Sequence, residues 1–271
     1  MSWLQAFLLG LVQGLTEFLP VSSSGHLAVA QAILGFEEPE VFFDVILHAG
    51  TLLSIFIFWR KDLLAMLREA FAALSAGRRA FSFAYWREND ARGMILWVVL
   101  ASIPTGIIGI LFKEPLEAAF GSLLAIAAGF FMTATLLILS RLFLSRAKGE
   151  PTLGRSLFVG FMQGLAIWPG LSRSGTTITS GLLAGIKPET AARFSFLMSI
   201  PAVLGAVLLK LKDGGGEGIG PDSLAVGFVS SAVSGYLALW LVMRFVRRGR
   251  LHVFAPWCAL MGVLAVILAL R

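Results

Sequence analysis

The stretch that decides the fold is residues 13–26, which read QGLTEFLPVSSSGH. It gathers a glutamine, a glutamate, three serines and a histidine around one proline and two glycines, within otherwise apolar sequence. A second version follows 150 residues later, at residues 163–177, and reads QGLAIWPGLSRSGTT. In that copy Arg173 stands at the offset of Ser23. The recurrence predicts that the two stretches meet and form one site.

The composition is that of an integral membrane protein. Of the 271 residues, 57% are hydrophobic and 14% are charged, and the mean hydropathy is +0.84. A soluble domain carries about 25% charged residues. The net charge of +6 would suit nucleic acid, but most basic residues sit in short loops between apolar runs, where membrane topology accounts for them. We therefore expect no nucleic-acid partner, and the single Cys258 leaves no cysteine-based metal site.

Both copies of the motif interrupt an apolar segment whose two halves are too short to span a bilayer. The first segment is 3–34, broken at Leu19-Pro20 and the serines, and the second is 155–186, broken around Pro169. Two short apolar helices around a polar break predict a re-entrant hairpin, which is tolerated only where its backbone is buried in protein or lines a cavity. A single kinked spanning helix is the alternative.

Six further apolar segments predict full spans, at about 41–59, 94–112, 122–143, 190–211, 224–246 and 252–270. The offset of 150 also lays 43–61 over 193–211, so residues 1–150 and 151–271 are expected to be two repeats within one membrane domain. Each repeat then has one hairpin and three spans, and the second must enter the membrane upside down. The sequence predicts an all-α inverted-topology repeat, whose sites lie near the midplane between broken helices.

The basic residues orient this topology. Loops that would share one side of the membrane carry 17 Lys and Arg residues, and the opposite side carries 4. The positive-inside rule places the larger set in the cytoplasm. Both termini and the mouth of the first hairpin are then expected outside, and the second hairpin enters from the cytoplasm.

The polar residues of the two breaks predict an anion site. Gln13 and Glu17 share one helix face, and Arg173 offers a forked cation suited to phosphate oxygens. Both serine clusters precede a short helix, so two helix N-termini direct amide groups and positive dipole ends at the centre. The residues expected to bind phosphate lie at these helix starts: Ser22, Ser24, Gly25, Ser172, Ser174, Gly175, Thr176 and Thr177.

A carboxylate inside an anion pocket indicates a divalent cation. Magnesium typically binds through one or two carboxylates plus substrate phosphates, so Glu17 and Gln13 are its expected ligands, with Ca²⁺ as the alternative metal. Ser23 or His26 could attack phosphorus while the other moves the proton. A metal, a nucleophile, a base and Arg173 together predict phosphoryl transfer.

Weaker signals and other interpretations remain beside this one. Asp44 and His48 are four residues apart near a span end, where they could support the site or simply be solvated. Glu17 and Arg173 could form a purely structural ion pair, and the serines could only cap helices. Broken helices with a buried acid would also suit an ion-coupled transporter or a lipid flippase. The serine-rich helix start beside a histidine, with an arginine opposite, favours phosphate hydrolysis.

The motifs QGLTEFLPVSSSGH and PGLSRSGTT resemble the signatures of the bacitracin-resistance type of undecaprenyl-diphosphate phosphatase, and the resemblance covers essentially the whole chain. It implies metal-dependent conversion of undecaprenyl diphosphate to the monophosphate carrier of cell-wall synthesis, in the bacterial cytoplasmic membrane. It also implies functional roles for Gln13, Glu17, Ser23, His26 and Arg173, although many members have Glu where this chain has Gln13. The attacking group (Ser23, His26 or water) and a homodimeric state are left open.

Overall fold

The computed structural model describes residues 1–34, 41–213 and 219–270, and their regular structure is helical apart from one isolated β-bridge. Within these residues there are twelve α-helices: α1 (Trp3–Phe18), α2 (Ser23–Ile33), α3 (Val41–Phe58), α4 (Arg60–Ser75), α5 (Asp90–Leu111), α6 (Lys113–Phe120), α7 (Leu123–Phe143), α8 (Leu153–Leu165), α9 (Arg173–Leu183), α10 (Pro188–Asp213), α11 (Pro221–Arg247) and α12 (Ala255–Ala269). The predicted all-α class is confirmed.

Four of the described helices are long and apolar enough to cross a membrane: α5, α7, α11 and α12. They correspond to the predicted spans 94–112, 122–143, 224–246 and 252–270. The predicted span 41–59 is α3, which qualifies only together with α4, and the two helices bend by 82° between Phe58 and Arg60. The predicted span 190–211 lies in α10, which over its described residues is not among the qualifying helices. The chain is therefore a multi-pass membrane protein, and its described residues contain four or five candidate spans.

The first predicted break separates α1 from α2, and its cause is local. Proline disfavours the helical conformation in the residue before it, and Leu19 accordingly caps α1 in extended backbone at φ −62° and ψ 140°. Ser22 then adopts φ 72°, the left-handed region, which costs a residue other than glycine about 1–3 kcal/mol. Its hydroxyl accepts a hydrogen bond from the Gly25 N–H at 3.3 Å, and this cap starts α2.

The second predicted break separates α8 from α9 and uses a different turn. Gly170 takes the left-handed conformation at φ 81°, and a Cβ at this position would collide with the carbonyl oxygen of Ile126. The indole of Trp168 donates to the Ala125 carbonyl at 2.9 Å, which holds the turn against α7. Ser172 caps α9, and its backbone has an ordinary φ of −66°.

Small residues let the first hairpin pack closely on the second half of the chain. A Cβ on Gly10 or Gly14 of α1 would collide with the hydroxyls of Ser230 and Ser234 of α11. The Ser234 hydroxyl donates to the Ser230 carbonyl at 2.6 Å and reaches the Gly10 carbonyl at 3.4 Å. Close approach of helix backbones through small residues is a common way for membrane helices to associate.

The first helix of each half packs on a helix of the other half. Helix α1 packs along α11, and α8 packs along α5, while α3 lies on α10 and α7 on α12. The first helix of each broken pair therefore lies against the middle span of the other half. This arrangement brings the two breaks toward each other.

Candidate active site

Glu17, in the last turn of α1, is the centre of the polar cluster. Its side chain is only 3% exposed, and Arg173 forms an ion pair with Oε1. The Ser23 hydroxyl donates to Oε2 at 2.6 Å, and the Gln13 amide donates to the same oxygen at 3.0 Å. The Nε2 atom of His48 lies 3.6 Å from it. These contacts compensate the burial of a charge that would otherwise be strongly unfavourable.

Arg173 is the first residue of α9, and this position concentrates positive charge. The N-terminus of a helix carries the positive end of its dipole, so a cation there is unfavourable unless an anion lies nearby. Glu17 supplies one negative charge, and the Arg173 side chain remains 22% exposed. The helix end and the guanidinium together can accept further anionic oxygens.

Three of the amides expected to bind phosphate already donate to side-chain hydroxyls, two of them to helix caps. The Ser172 N–H donates to the Thr133 hydroxyl at 2.8 Å, and the Gly175 N–H donates to the Ser172 hydroxyl at 3.1 Å. The Gly25 N–H is likewise taken by the Ser22 hydroxyl. These three glycine and serine amides therefore already have acceptors within the protein.

Other amides at the same helix starts are better placed for an anion. The first-turn N–H groups of a helix have no acceptor inside that helix, which applies to Ser23 and Ser24 in α2 and to Arg173 and Ser174 in α9. We expect these amides, rather than those of the capping residues, to contact phosphate oxygens.

The two threonines expected to bind phosphate lie inside the second hairpin. Both Thr176 and Thr177 are fully buried. The Thr177 hydroxyl donates to the Arg173 carbonyl at 2.7 Å and lies 2.5 Å from the Ser195 hydroxyl of α10. Thr176 Oγ1 has no hydrogen-bond partner among the described residues. Thr177 thus holds the backbone from which Arg173 projects.

His26 is held by groups other than Ser23. Its Nδ1 lies 2.7 Å from the Ser22 carbonyl, and the indole of Trp257 donates to Nε2 at 2.9 Å. The Trp257 and His26 ring planes lie within 12° of each other, with centroids 6.0 Å apart, so the two rings lie edge to edge along this hydrogen bond, and Phe130 meets the imidazole edge-on at 5.3 Å. Because an indole N–H only donates, Nε2 is the acceptor and Nδ1 carries the proton. Trp257, on α12, was not expected from the sequence.

His48 and Asp44 have different surroundings. His48 faces Glu17 with Nε2, while its Nδ1 lies 2.7 Å from the backbone carbonyl of Asp44. The Asp44 carboxylate accepts a hydrogen bond from Gln31 of α2 at 2.8 Å. His48 therefore touches the central carboxylate directly, whereas Asp44 connects α3 to α2.

The oxygen atoms around Glu17 fit a hard divalent cation. Gln13 is fully buried, and its Oε1 lacks a hydrogen-bond partner in the part of the chain that the structure describes. Among the residues that the structure describes, no group of three His, Cys, Asp or Glu side chains could bind a metal ion by itself. A carboxylate beside an amide oxygen suits Mg²⁺ or Ca²⁺ when substrate phosphates complete the coordination.

Fold and site together define a class: a polytopic membrane protein with a buried acid, serine and arginine between two helix N-termini, equipped to handle phosphate. The chain belongs to the family described as bacitracin resistance protein BacA, whose sequence model matches residues 6–264. That range includes both motifs.

Several curated relatives match the chain over nearly their whole length, and each is named undecaprenyl-diphosphatase. The relative from Methanosphaera stadtmanae is 41% identical, over 98% of this chain and 98% of its own. The relative from Desulfatibacillum aliphaticivorans is 41% identical, over 98% and 99%. The relative from Salinibacter ruber is 42% identical, over 98% and 99%.

Proposed function

We propose that this chain hydrolyses undecaprenyl diphosphate to undecaprenyl phosphate and inorganic phosphate. The observation that carries this function is the contact of Ser23 and Arg173 with opposite oxygens of one buried carboxylate, Glu17. Membership of the BacA family and 41–42% identity to relatives named for this activity support it. The reaction returns the lipid carrier to synthesis of peptidoglycan and other wall polymers, and thereby confers resistance to bacitracin.

Substrate binding begins in our scheme at Arg173. Its guanidinium is paired with Glu17 in the structure, and the diphosphate oxygens compete for the same N–H groups with bidentate geometry. The first-turn amides of α2 and α9 add donors without a reorganisation cost. The Glu17 carboxylate is then free of Arg173 and can accept a proton from the Ser23 hydroxyl.

Ser23 is the nucleophile that the geometry favours. Its hydroxyl already donates to Glu17 Oε2 at 2.6 Å, so the carboxylate is placed to take the proton as Ser23 attacks the terminal phosphorus. Undecaprenyl phosphate leaves, and water hydrolyses the phosphoserine. Attack by His26 is less favoured, because both of its ring nitrogens are engaged. Direct attack by water is the remaining alternative.

A divalent cation, Mg²⁺ or Ca²⁺, would be held by Glu17 and Gln13 and would neutralise charge on the diphosphate. The unpartnered Gln13 Oε1 supports this assignment. Ser23 and Arg173 keep their roles in binding and attack whichever metal is present.

The inverted repeat belongs to the same proposal. The alternating packing of α1 on α11 and α8 on α5 supports it, as do the two breaks at the same offset. Taken with the positive-inside rule, this repeat would leave both termini outside the cytoplasmic membrane and let the second hairpin enter from the cytoplasm. The diphosphate would enter from the outer face, with its prenyl chain in lipid. A homodimer stays a prediction.

The transporter or flippase alternative has no specific support in the described residues. The direct test of the phosphatase is phosphate release from undecaprenyl diphosphate by the purified protein, with and without a chelator, for the wild type and Ser23→Ala. Release by the wild type that is lost in Ser23→Ala is expected. A purified, folded wild type that releases no phosphate would overturn the proposed function.

A further inference from the structure

Trp257 occupies an unusual position for a tryptophan at a membrane helix. Its side chain is 49% exposed, but its N–H is directed inward to His26 Nε2 at 2.9 Å. Interfacial tryptophans usually keep this donor for the headgroup region. The two rings are nearly coplanar, so the hydrogen bond lies in the plane of the imidazole and holds it from one side.

On its other side, His26 holds the turn that precedes Ser23. The Ser22 carbonyl receives both the His26 backbone N–H, at 3.2 Å, and the protonated Nδ1, at 2.7 Å. Ser22 is also the residue with the left-handed φ of 72°. A strained backbone persists only where surrounding contacts determine it, and the imidazole provides such a contact.

The second hairpin provides an internal comparison. There the residue at the offset of His26 is Thr176, which has no ring, and the residue at the offset of Ser22 is Ser172. Ser172 keeps its cap and accepts the Thr176 N–H at 2.8 Å, yet its φ is an ordinary −66°. The left-handed turn thus occurs in the hairpin that contains His26, the histidine held by Trp257.

We propose that Trp257 is a positioning residue of the active site. Its indole holds His26, and His26 in turn holds the Ser22 carbonyl. This chain of contacts fixes the turn from which the Ser23 hydroxyl reaches Glu17. Trp257 acts through His26 and contacts no reacting atom, so its removal should misplace the Ser23 hydroxyl while Arg173 and the amides of α9 still bind the diphosphate.

The first test reads the histidine directly and needs no substrate. The chain has three histidines, so protein labelled with ¹⁵N only at histidine gives few signals, and His26→Gln assigns the one from His26. The wild type should show His26 with its proton on Nδ1 and a hydrogen-bonded Nε2. Trp257→Phe keeps an aromatic ring at this position but removes the donor, and the Nε2 signal should move to that of a free acceptor or exchange between tautomers. An unchanged His26 signal would overturn the proposal.

The second test separates positioning from binding. Trp257→Phe should lower kcat for phosphate release by roughly 10-fold to 100-fold, the cost of losing a group that orients a site residue. KM should change much less than kcat, because Arg173 and the amides of α9 still bind the diphosphate. Trp257→Tyr, which returns a donor on an aromatic ring, should recover part of kcat. The matched control is Trp240→Phe, at a tryptophan of α11 that is 48% exposed, and it should keep wild-type kcat.

The kinetic test rests on the proposed function, whereas the spectroscopic test does not. If the wild type released no phosphate, the proposed function would fail. The His26 signal would still show whether Trp257 holds His26. If Trp257→Phe moved the His26 signal but left kcat at the wild-type value, Trp257 would hold His26 without positioning the reaction, and our proposal would be wrong. If Trp257→Phe did not fold, Trp257→Leu, which also lacks the donor, would take its place in both measurements.

Discussion

Arg173, the first residue of α9, forms an ion pair with Glu17 in the last turn of α1, across 156 positions of sequence. The pair joins the two broken hairpins. Removing one partner of a buried pair leaves an uncompensated charge, which typically costs about 3–5 kcal/mol of stability. Substitutions at either residue therefore need a folding measurement beside the kinetic one.

Ser23→Ala should reduce phosphate release by roughly 10³-fold or more, since nucleophile removal is among the most damaging changes in covalent catalysis. Glu17 keeps its contacts with Arg173 and Gln13, so the thermal midpoint should move little. Ser75→Ala, at an exposed serine of α4, is the control and should retain full turnover. If Ser23→Ala turned over near the wild-type rate, water or His26 would be the attacking group instead of Ser23.

His48→Gln should lower kcat by roughly 10-fold, because it removes the imidazole whose Nε2 lies 3.6 Å from the carboxylate proposed to receive the Ser23 proton. The effect is measured as kcat and KM for undecaprenyl diphosphate in detergent. The control is His252→Gln, at the third histidine of the chain, which precedes α12 on a short 3₁₀ turn. Equal kinetics for His48→Gln and the wild type would place His48 outside the mechanism.

Removal of divalent cations should abolish phosphate release, and Mg²⁺ should restore it, because Arg173 is paired with Glu17 and cannot alone neutralise the charge of the diphosphate. Gln13→Glu adds a second carboxylate and should lower the Mg²⁺ concentration that gives half-maximal activity by roughly 10-fold. Activity that persists after complete chelation would show that Gln13 and Glu17 do not hold a catalytic metal ion.

Single cysteines test the orientation of the chain. The one native cysteine, Cys258, is buried with its sulfur 3.6 Å from the Pro20 carbonyl, and Cys258→Ser provides the background. In intact cells a membrane-impermeant maleimide should label Lys113→Cys, on α6, and should not reach Ser75→Cys, at the end of α4. The opposite pattern would mean that the chain has the reverse orientation. Labelling of both positions would contradict the prediction that they lie on opposite sides of the membrane.

Local sequence was sufficient to locate the two breaks, because their causes are local. Pro20 and Pro169 restrict the residues before them, and Gly170 permits a left-handed turn that other residues resist. For these features the prediction depends on a few neighbouring residues, and the structure agrees with it.

Contacts made by distant helices could not be predicted in the same way. Trp257 on α12 and His48 on α3 reach His26 and Glu17 through packing of helices far apart in sequence. Thr133 of α7 likewise takes the Ser172 amide that local reasoning assigned to phosphate. A hydrogen-bond donor's partner depends on which helix lies beside it, and that is decided by the whole fold.

The most direct test of the central claim, that two motifs 150 residues apart form one phosphoryl-transfer site, is the turnover of Arg173→Ala. Phosphate release from undecaprenyl diphosphate should be measured for purified, folded protein, with the exposed Arg60→Ala as control. We predict a loss of roughly 10³-fold or more for Arg173→Ala, on the scale of arginine contacts in phosphoryl transfer, and none for Arg60→Ala. Near-normal turnover by Arg173→Ala would contradict the account.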